Sequence, residues 1–206
     1  RDYYASRGLG DVYKRQTSDA ATQIKEKYAE ITDILHVNGM SGNLCKYNGT
    51  DIKQFLFISA DSTLNQFFPY TTLEGSLEEV LTTPDKVAVN KRFAHRLFGN
   101  HSGIGEILEI INEEGQSKSY KVAAILEDRP QSFLHFDLLT GLSDKSWGGP
   151  VLLKLQPGAS PLALQEKIKK DKIPTLVPDS QYYIDPIKEL YLSLIHISEP
   201  TRRVVI

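Results

Sequence analysis

The segment Gly99-Asn100-His101-Ser102-Gly103-Ile104-Gly105 is the part of the sequence that most invites a chemical interpretation. Closely spaced glycines can cradle a phosphate with backbone N–H groups, but the Lys-Ser/Thr pair that holds phosphate and magnesium is missing. We therefore interpret Gly99 as the end of a helix and the later glycines as a turn into a strand. Nucleotide hydrolysis is then expected on another chain or another domain.

Serine and histidine residues offer a second chemistry, nucleophilic hydrolysis. Ser102 follows His101 directly, and it lacks the Gly-x-Ser-x-Gly frame that exposes a nucleophile on a sharp turn. A small enzyme would require His101, Ser102 and His135 to converge in one cleft. We expect no catalytic residues and treat the enzyme as an alternative.

The sequence does not favour a metal site or a cofactor. No two of its histidines between residues 17 and 192 have the helical spacing of a zinc motif, and we expect surface or core roles for His36, His95, His101 and His135. A single cysteine, Cys45, excludes an internal disulfide and a cysteine-rich zinc site. We predict that metal-binding and cofactor-binding residues are absent.

Charged and aromatic clusters have structural interpretations as well. The adjacent pairs Glu113-Glu114 and Glu127-Asp128 would point to opposite faces of a strand, so we expect solvated hairpin ends rather than a catalytic dyad. The lysines of residues 167–172 suit the negative end of a helix. We expect core positions for four phenylalanines, of which an exposed subset would be a partner contact: Phe67, Phe68, Phe93 and Phe98.

The two ends look foreign to the rest of the chain. Residues 11–16 and 193–202 resemble translated sequencing-adapter read-through, so we predict artefactual tails at 1–16 and 193–206. A basic transit segment at the N-terminus is the alternative, although it lacks the apolar centre of a secretory signal. Residues 17–192 retain 18 of the 24 basic and 23 of the 26 acidic residues, a net charge of −5, which gives no electrostatic attraction to nucleic acid.

Short helices are expected to alternate irregularly with strands. Cap residues predict helices beginning near Ser18 or Asp19, at Ser76, after Asn90 and at Ser160-Pro161. Asn38-Gly39 and Asn48-Gly49 are predicted turns on either side of a polar hairpin. Apolar patterning predicts the strands 31–37, 55–58, 87–89, 107–111, 120–126, 136–139 and 151–155. This order predicts an α+β fold, a two-lobed mixed domain of short helices and antiparallel hairpins.

Three segments carry a resemblance to a known family. The first is Phe67-Phe68-Pro69 with Gly75 and Leu81. The second is Val87-Ala88-Val89-Asn90 with Ala94, Leu97-Phe98-Gly99 and Ile104-Gly105. The third is Val122-Ala123-Ala124-Ile125 with Asp128-Arg129-Pro130 and Ser132. In this order they resemble the MacB-like periplasmic core domain of FtsX-type ABC transporter permeases, with Gly103, Ala124 and Phe133 departing from its pattern.

The resemblance implies a non-catalytic domain that transmits ATP-driven motion to substrate export or extraction. It implies an inner-membrane parent whose periplasmic part is residues 17–192, a separate ABC ATPase subunit and a second permease copy, as a homodimer or heterodimer. A periplasmic adaptor or lipoprotein is a further candidate partner. We expect a membrane-proximal lobe of residues 17–75 and 141–192, and a middle lobe of residues 76–140 that contacts cargo or partner. A free-standing periplasmic ligand- or protein-binding module is the alternative.

Overall fold

Five short helices and twelve strands make up the part of the chain that the computed structural model describes, namely residues 3–6, 23–40, 42, 44–129, 132, 134–142, 151–171 and 184–186. The helices are α1 (23–27), α2 (Leu64–Phe67), α3 (Leu77–Thr82), α4 (Lys91–Phe98) and α5 (Pro161–Lys170). The strands are β1 (Tyr3–Ser6), β2 (Ile31–Gly39), β3 (Leu44–Tyr47), β4 (Thr50–Ile52), β5 (Phe57–Ala60), β6 (Thr72–Gly75), β7 (Lys86–Asn90), β8 (Ile107–Ile111), β9 (Ser117–Leu126), β10 (Leu138–Gly141), β11 (Val151–Leu155) and β12 (Asp185–Pro186). The predicted α+β fold is confirmed.

Three helices begin at predicted cap residues, whereas the start predicted near Ser18 or Asp19 lies outside the described residues. The side chains of Ser76, Asn90 and Ser160 each accept a hydrogen bond from the backbone N–H three residues on, at the start of α3, α4 and α5. These acceptors satisfy N–H groups that a helix cannot bond internally. Gly99 ends α4 at a φ of +63°, a conformation that glycine adopts without a steric cost.

The turn predicted at Asn38-Gly39 is wrong. Both residues continue β2, where Asn38 pairs with Ser59 and Gly39 with Ile58. Asn38 is buried, so tertiary pairing with β5 outweighs the local turn preference of the Asn-Gly pair. Asn48-Gly49, by contrast, forms the predicted tight turn, between β3 and β4.

All twelve strands join one mixed sheet. Its order is β12-β1-β11-β2-β5-β10-β7-β9-β8-β3-β4, with β6 attached to β9. The pairs β5–β10 and β7–β9 are parallel, whereas the other pairs are antiparallel. Strand β9 borders β7 on one side, and β8 and β6 on the other, so it lies at the centre of this half of the sheet.

Apolar side chains form three cores on the two faces of this sheet. The front face carries core 1, which α2 and α3 cover, and its buried members include Leu35, Ile58, Leu64, Val80 and Leu139. The back face carries core 2, beneath α4, and core 3, beneath α1 and α5. Core 2 contains Phe57, Val87, Phe93, Leu97 and Leu138; core 3 contains Ile24, Ile34, Val151, Leu164 and Ile168.

The chain ends and the two lobes stay predictions. Within the predicted tail of residues 1–16, Tyr3–Ser6 form β1 and pair with β11 in this structure. The adapter-like strings 11–16 and 193–202 lie outside the described residues.

Candidate functional site

A cleft of about 350 Å³ opens where two parallel strands end and a helix begins. Asn90, the last residue of β7, and Glu127, which follows β9, both line it. Leu56, Tyr70 and Phe136 contribute an apolar surface. The carboxyl ends of parallel strands are a common place for binding sites, because the strands hold the following loops apart there.

Asn90 holds this cleft together through both ends of its side chain. Its Oδ1 accepts from the N–H of Phe93 at 2.8 Å, which caps α4. Its Nδ2 donates to the carbonyl oxygen of Phe136 at 2.6 Å and lies 3.3 Å from Asp137 Oδ1. The buried amide therefore ties the start of α4 to the segment that enters β10.

Asp137 is a buried carboxylate with partners on several sides. Its Oδ2 accepts from the N–H of Leu56 at 2.9 Å, and its Oδ1 lies 3.6 Å from a guanidinium nitrogen of Arg92. Arg92 is three-quarters exposed, so it approaches the Asp137 carboxylate from the solvent side. A buried charge needs such partners, since an unpaired one would be strongly unfavourable.

Arg129 is a second arginine in the lining of the cleft. Its Nη1 donates to the carbonyl oxygen of Pro69 at 2.7 Å, and its guanidinium lies 5.4 Å from the centre of the Tyr70 ring. Tyr70 donates to the carbonyl oxygen of Leu134 at 3.2 Å and packs on Phe136, with ring centroids 5.2 Å apart. Burial raises the pKa of Tyr70 to about 12, so this hydroxyl keeps its proton.

The segments that carried the sequence resemblance meet around β9. Arg129 reaches Pro69, and the N–H of Ser76 donates to Ala123 O at 2.9 Å. Gly75 has a φ of +75°, and a Cβ there would lie 2.0 Å from the same Ala123 oxygen. These residues are therefore needed to pack the segments together.

The glycine-rich segment after α4 has the turn role predicted for it. The N–H of Gly99 donates to His95 O at 3.0 Å, and the N–H of Gly105 donates to Val122 O at 2.8 Å. A Cβ at Gly103 would fall 2.2 Å from the ring of Phe98. The positive φ of Gly99 and of Gly105, and the close approach of Gly103 to a core ring, account for glycine at these three positions.

The hydrolase candidates His101, Ser102 and His135 are not brought together at the cleft. His135 lines the cleft, whereas His101 and Ser102 lie in the turn after α4 and do not line it. Ser102 Oγ donates to Glu74 Oε2 at 2.5 Å. The convergence that the enzyme alternative required is therefore not seen at this cleft.

A second group of these residue types was missed by sequence reasoning. His36 Nδ1 lies 2.9 Å from Asp61 Oδ2, and Ser59 is buried on the neighbouring strand. Within the described part of the chain, neither His36 Nε2 nor Ser59 Oγ has a hydrogen-bond partner. The serine is therefore not engaged by the histidine, and it is only 2% exposed.

The remaining charged candidates lie at the surface. Lys167 pairs with Glu30, while Lys169 and Lys170 occupy the last turn of α5. Glu113 and Glu114 are exposed in the hairpin between β8 and β9. In the ranges that the structure describes, no cluster of three or more His, Cys, Asp or Glu side chains could hold a metal ion.

All four predicted core phenylalanines, Phe67, Phe68, Phe93 and Phe98, are buried. Glu127 and Asp128 were expected at a solvated hairpin end. Both are exposed and both line the cleft.

Among the described helices, none has the length and apolar character needed to cross a bilayer.

Comparisons with known proteins point to one family and one fold. The family model described as the MacB-like periplasmic core domain matches residues 2–171. A comparison with curated proteins gives no match.

Solved structures share the fold at low sequence identity. The periplasmic region of MacB from Actinobacillus actinomycetemcomitans matches with a TM-score of 0.63 at 14% identity, over 95% of this chain and 92% of that one. A domain of a putative permease protein from Porphyromonas gingivalis gives 0.69 at 16%, over 90% and 89%. The extracellular domain of the noncanonic ABC-type transporter YknZ from Gram-positive bacteria gives 0.64 at 10%, over 89% and 99%. With the family model matching most of its length, the chain belongs to the MacB-like periplasmic core domain family.

Proposed function

We propose that this chain is the periplasmic domain of an inner-membrane ABC transporter permease, and that it transmits ATP-driven motion to substrate export or extraction without catalysis of its own. The observation that carries the proposal is the continuous twelve-stranded sheet with packed cores on both faces. Because close-packed interiors resist deformation, such a body moves as a unit when its attachments move. Its proposed partners are a separate ABC ATPase, a second permease copy and a periplasmic adaptor or lipoprotein.

Core 3 supports a membrane-proximal lobe. All of its buried members come from the two flanking segments, residues 17–75 and 141–192. Cys45, Ile52 and Phe57 belong to the first of these segments, yet they pack in core 2 with residues of the middle lobe. We therefore propose that residues 76–140 form the middle lobe and that the hairpin of β3 and β4 packs on it.

We place the contact with cargo or partner at the cleft, because most of its lining belongs to residues 76–140. Buried aromatic side chains next to exposed charged ones are a composition found at protein contacts. Reversing the charges with Glu127→Lys and Asp128→Lys should lower transport by the intact permease complex, while its ATPase activity persists. The matched control reverses the exposed pair Glu113 and Glu114 to lysine. Equal losses in both variants would count against the cleft.

The alternative, a free-standing periplasmic ligand- or protein-binding module, is favoured by that same cleft. The parent gene decides between the two. A permease domain requires an apolar segment of about 20 residues encoded on each side of residues 17–192. An intact reading frame that encodes a complete water-soluble product without such segments would contradict the permease and favour the binding module.

A further inference from the structure

Five polar side chains lie on the back face of the sheet between core 2 and core 3. Strand register places them there. Asn38 pairs with Ser59, Ser59 with Thr140, and Thr140 with Val87 of core 2. Two residues before Asn38, His36 pairs with Val151 of core 3. Side chains opposite each other or two apart on a strand share a face. We call this group the polar seam: His36, Asn38, Ser59, Asp61 and Thr140.

Two of its polar atoms are buried without a protein partner in the described part of the chain, His36 Nε2 and Ser59 Oγ. Both belong to the seam and lie on adjacent strands, diagonally across the pair formed by Asn38 and Ser59. Two other seam members have protein partners: Thr140 Oγ1 donates to Lys86 O at 2.8 Å, and Asp61 Oδ2 lies 2.9 Å from the other ring nitrogen of His36. The two polar atoms that lack a protein partner therefore lie on neighbouring strands of the polar seam.

We infer that the polar seam contains a binding site for a buried, ordered water molecule that bridges His36 Nε2 and Ser59 Oγ. Buried polar groups are nearly always hydrogen-bonded, and internal waters typically serve two to four groups that lack protein partners. A water can donate to one atom of this pair and accept from the other. A metal ion fits less well, since the described residues group no three His, Cys, Asp or Glu side chains and a serine hydroxyl is a weak ligand.

Asp61 fixes the orientation that this site requires. Its Oδ2 lies 2.9 Å from His36 Nδ1 and accepts from the backbone N–H of His36 at 2.9 Å. The imidazole ring therefore directs Nε2 away from Asp61. A second residue, Thr63, donates its N–H to Asp61 Oδ1 at 2.9 Å, so the carboxylate itself is held in place.

The direct test is a crystal structure of this chain at about 1.5 Å resolution. We expect a single density peak within hydrogen-bonding distance of both His36 Nε2 and Ser59 Oγ. A well-ordered seam with no peak there, in a map that shows other internal waters, would overturn the inference. So would a side chain of the protein occupying that place.

Urea unfolding of two variants gives an independent test. It distinguishes a bound water from an unsatisfied Ser59 hydroxyl by the direction in which the urea midpoint changes. If a water is bound, Ser59→Ala removes one of its partners, and the urea midpoint should stay the same or fall. If the hydroxyl is an unsatisfied buried group, its removal should raise the midpoint, which would refute the site. Thr140→Val is the matched control, because this hydroxyl has a protein partner and its loss should lower the midpoint in either case.

Discussion

Asp61 joins β2 to the start of α2 through contacts with His36 and Thr63, and these contacts affect stability in acid. The N–H groups of His36 and Thr63 donate to it, and the His36 ring and the Thr63 hydroxyl also contact it. Burial alone would raise the pKa of Asp61, but the hydrogen bonds from His36 and Thr63 outweigh burial and hold the pKa below its ordinary value. The folded state therefore favours the ionised carboxylate.

The sign of the pH dependence follows from that direction. A carboxylate with a lowered folded pKa stabilises the fold at pH values above its unfolded pKa, and this contribution is lost as pH falls through the folded pKa. We expect the free energy of unfolding to decrease below about pH 4. In Asp61→Asn, this acid-dependent loss should shrink, and stability at pH 7 should fall by about 1–3 kcal/mol. Urea titrations between pH 2 and pH 7 measure both effects.

Asp51→Asn is the control for the loss of one negative charge, because Asp51 is exposed on β4. Its stability should change by no more than about 0.5 kcal/mol. An equal effect of the two variants at pH 7 would contradict the role given to Asp61.

Residues that act within their own element could be predicted from the sequence, and residues that act across strands could not. Ser76, Asn90 and Ser160 were predicted caps because a cap and its N–H partner are three positions apart. The contact of His36 with Asp61 spans 25 positions and depends on the register of β2 with β5. No local pattern encodes that register.

At the scale of elements, Asn90 connects the start of α4 to the segment that enters β10. Asn90→Ala removes the cap of α4 and the donor to Phe136 O in the same step. Losing a cap costs about 1 kcal/mol, and leaving a buried carbonyl unpaired adds about 1–3 kcal/mol. We expect a loss of about 2–4 kcal/mol in urea unfolding. Ser160→Ala removes a cap from α5 at an exposed position and should cost about 1 kcal/mol. Equal losses would show that the Phe136 bond contributes nothing.

The contact between β10 and α3 is set by a glycine. A Cβ at Gly141 would lie 2.7 Å from Leu81 O and 2.8 Å from Val80 O, so Gly141→Ala must push the helix away from the strand. We expect a loss of about 1–3 kcal/mol, as for other overpacked positions. Gly39→Ala is the matched control, since a Cβ there meets nothing within 4 Å. Thermal unfolding that ranks the two variants in the opposite order would contradict this packing.

The elements themselves were largely predictable, whereas their arrangement was not. Strands β7, β8, β9 and β11 lie where apolar patterning placed them. The strand β6 was missed, because all four of its residues are exposed and its sequence shows no alternation of apolar and polar residues. Only its pairing with β9 identifies it. Antiparallel hairpins were expected from turn signals. The parallel pairs β5–β10 and β7–β9 join segments far apart in sequence and leave no local trace.

At the scale of the whole molecule, the cleft brings together segments that the sequence resemblance had identified only by their order along the chain. Asn90 and Arg129 come from two of these segments and line one cleft, and Arg129 donates to the carbonyl oxygen of Pro69 in the third. The same sheet carries core 2 and core 3 on either side of the polar seam. A domain built this way is expected to move as one piece, with motion concentrated where the parent permease attaches it.

That expectation can be measured with labels attached to introduced cysteines, because the native Cys45 should not react with them. It is fully buried, and burial raises the pKa of its thiol to about 12, so little reactive thiolate exists near neutral pH. We expect a thiol reagent to leave the folded wild-type chain unmodified and to modify Cys45 in urea. Rapid modification of the folded chain at pH 7.5 would contradict this burial.

The most direct test of the account is the distance across this domain during ATP turnover. Spin labels at Glu114→Cys and Leu162→Cys, both exposed, report on the β8–β9 hairpin beside core 2 and on α5 above core 3. The measurement uses the intact parent permease with its ATPase in lipid. Doubly labelled copies diluted by unlabelled ones give the distance within one domain, and undiluted copies labelled only at Glu114→Cys give the distance between two domains. We predict an unchanged distance within one domain and a changed distance between the Glu114→Cys positions of two copies. A changed distance within the domain, with none between copies, would contradict transmission of motion by a stiff body.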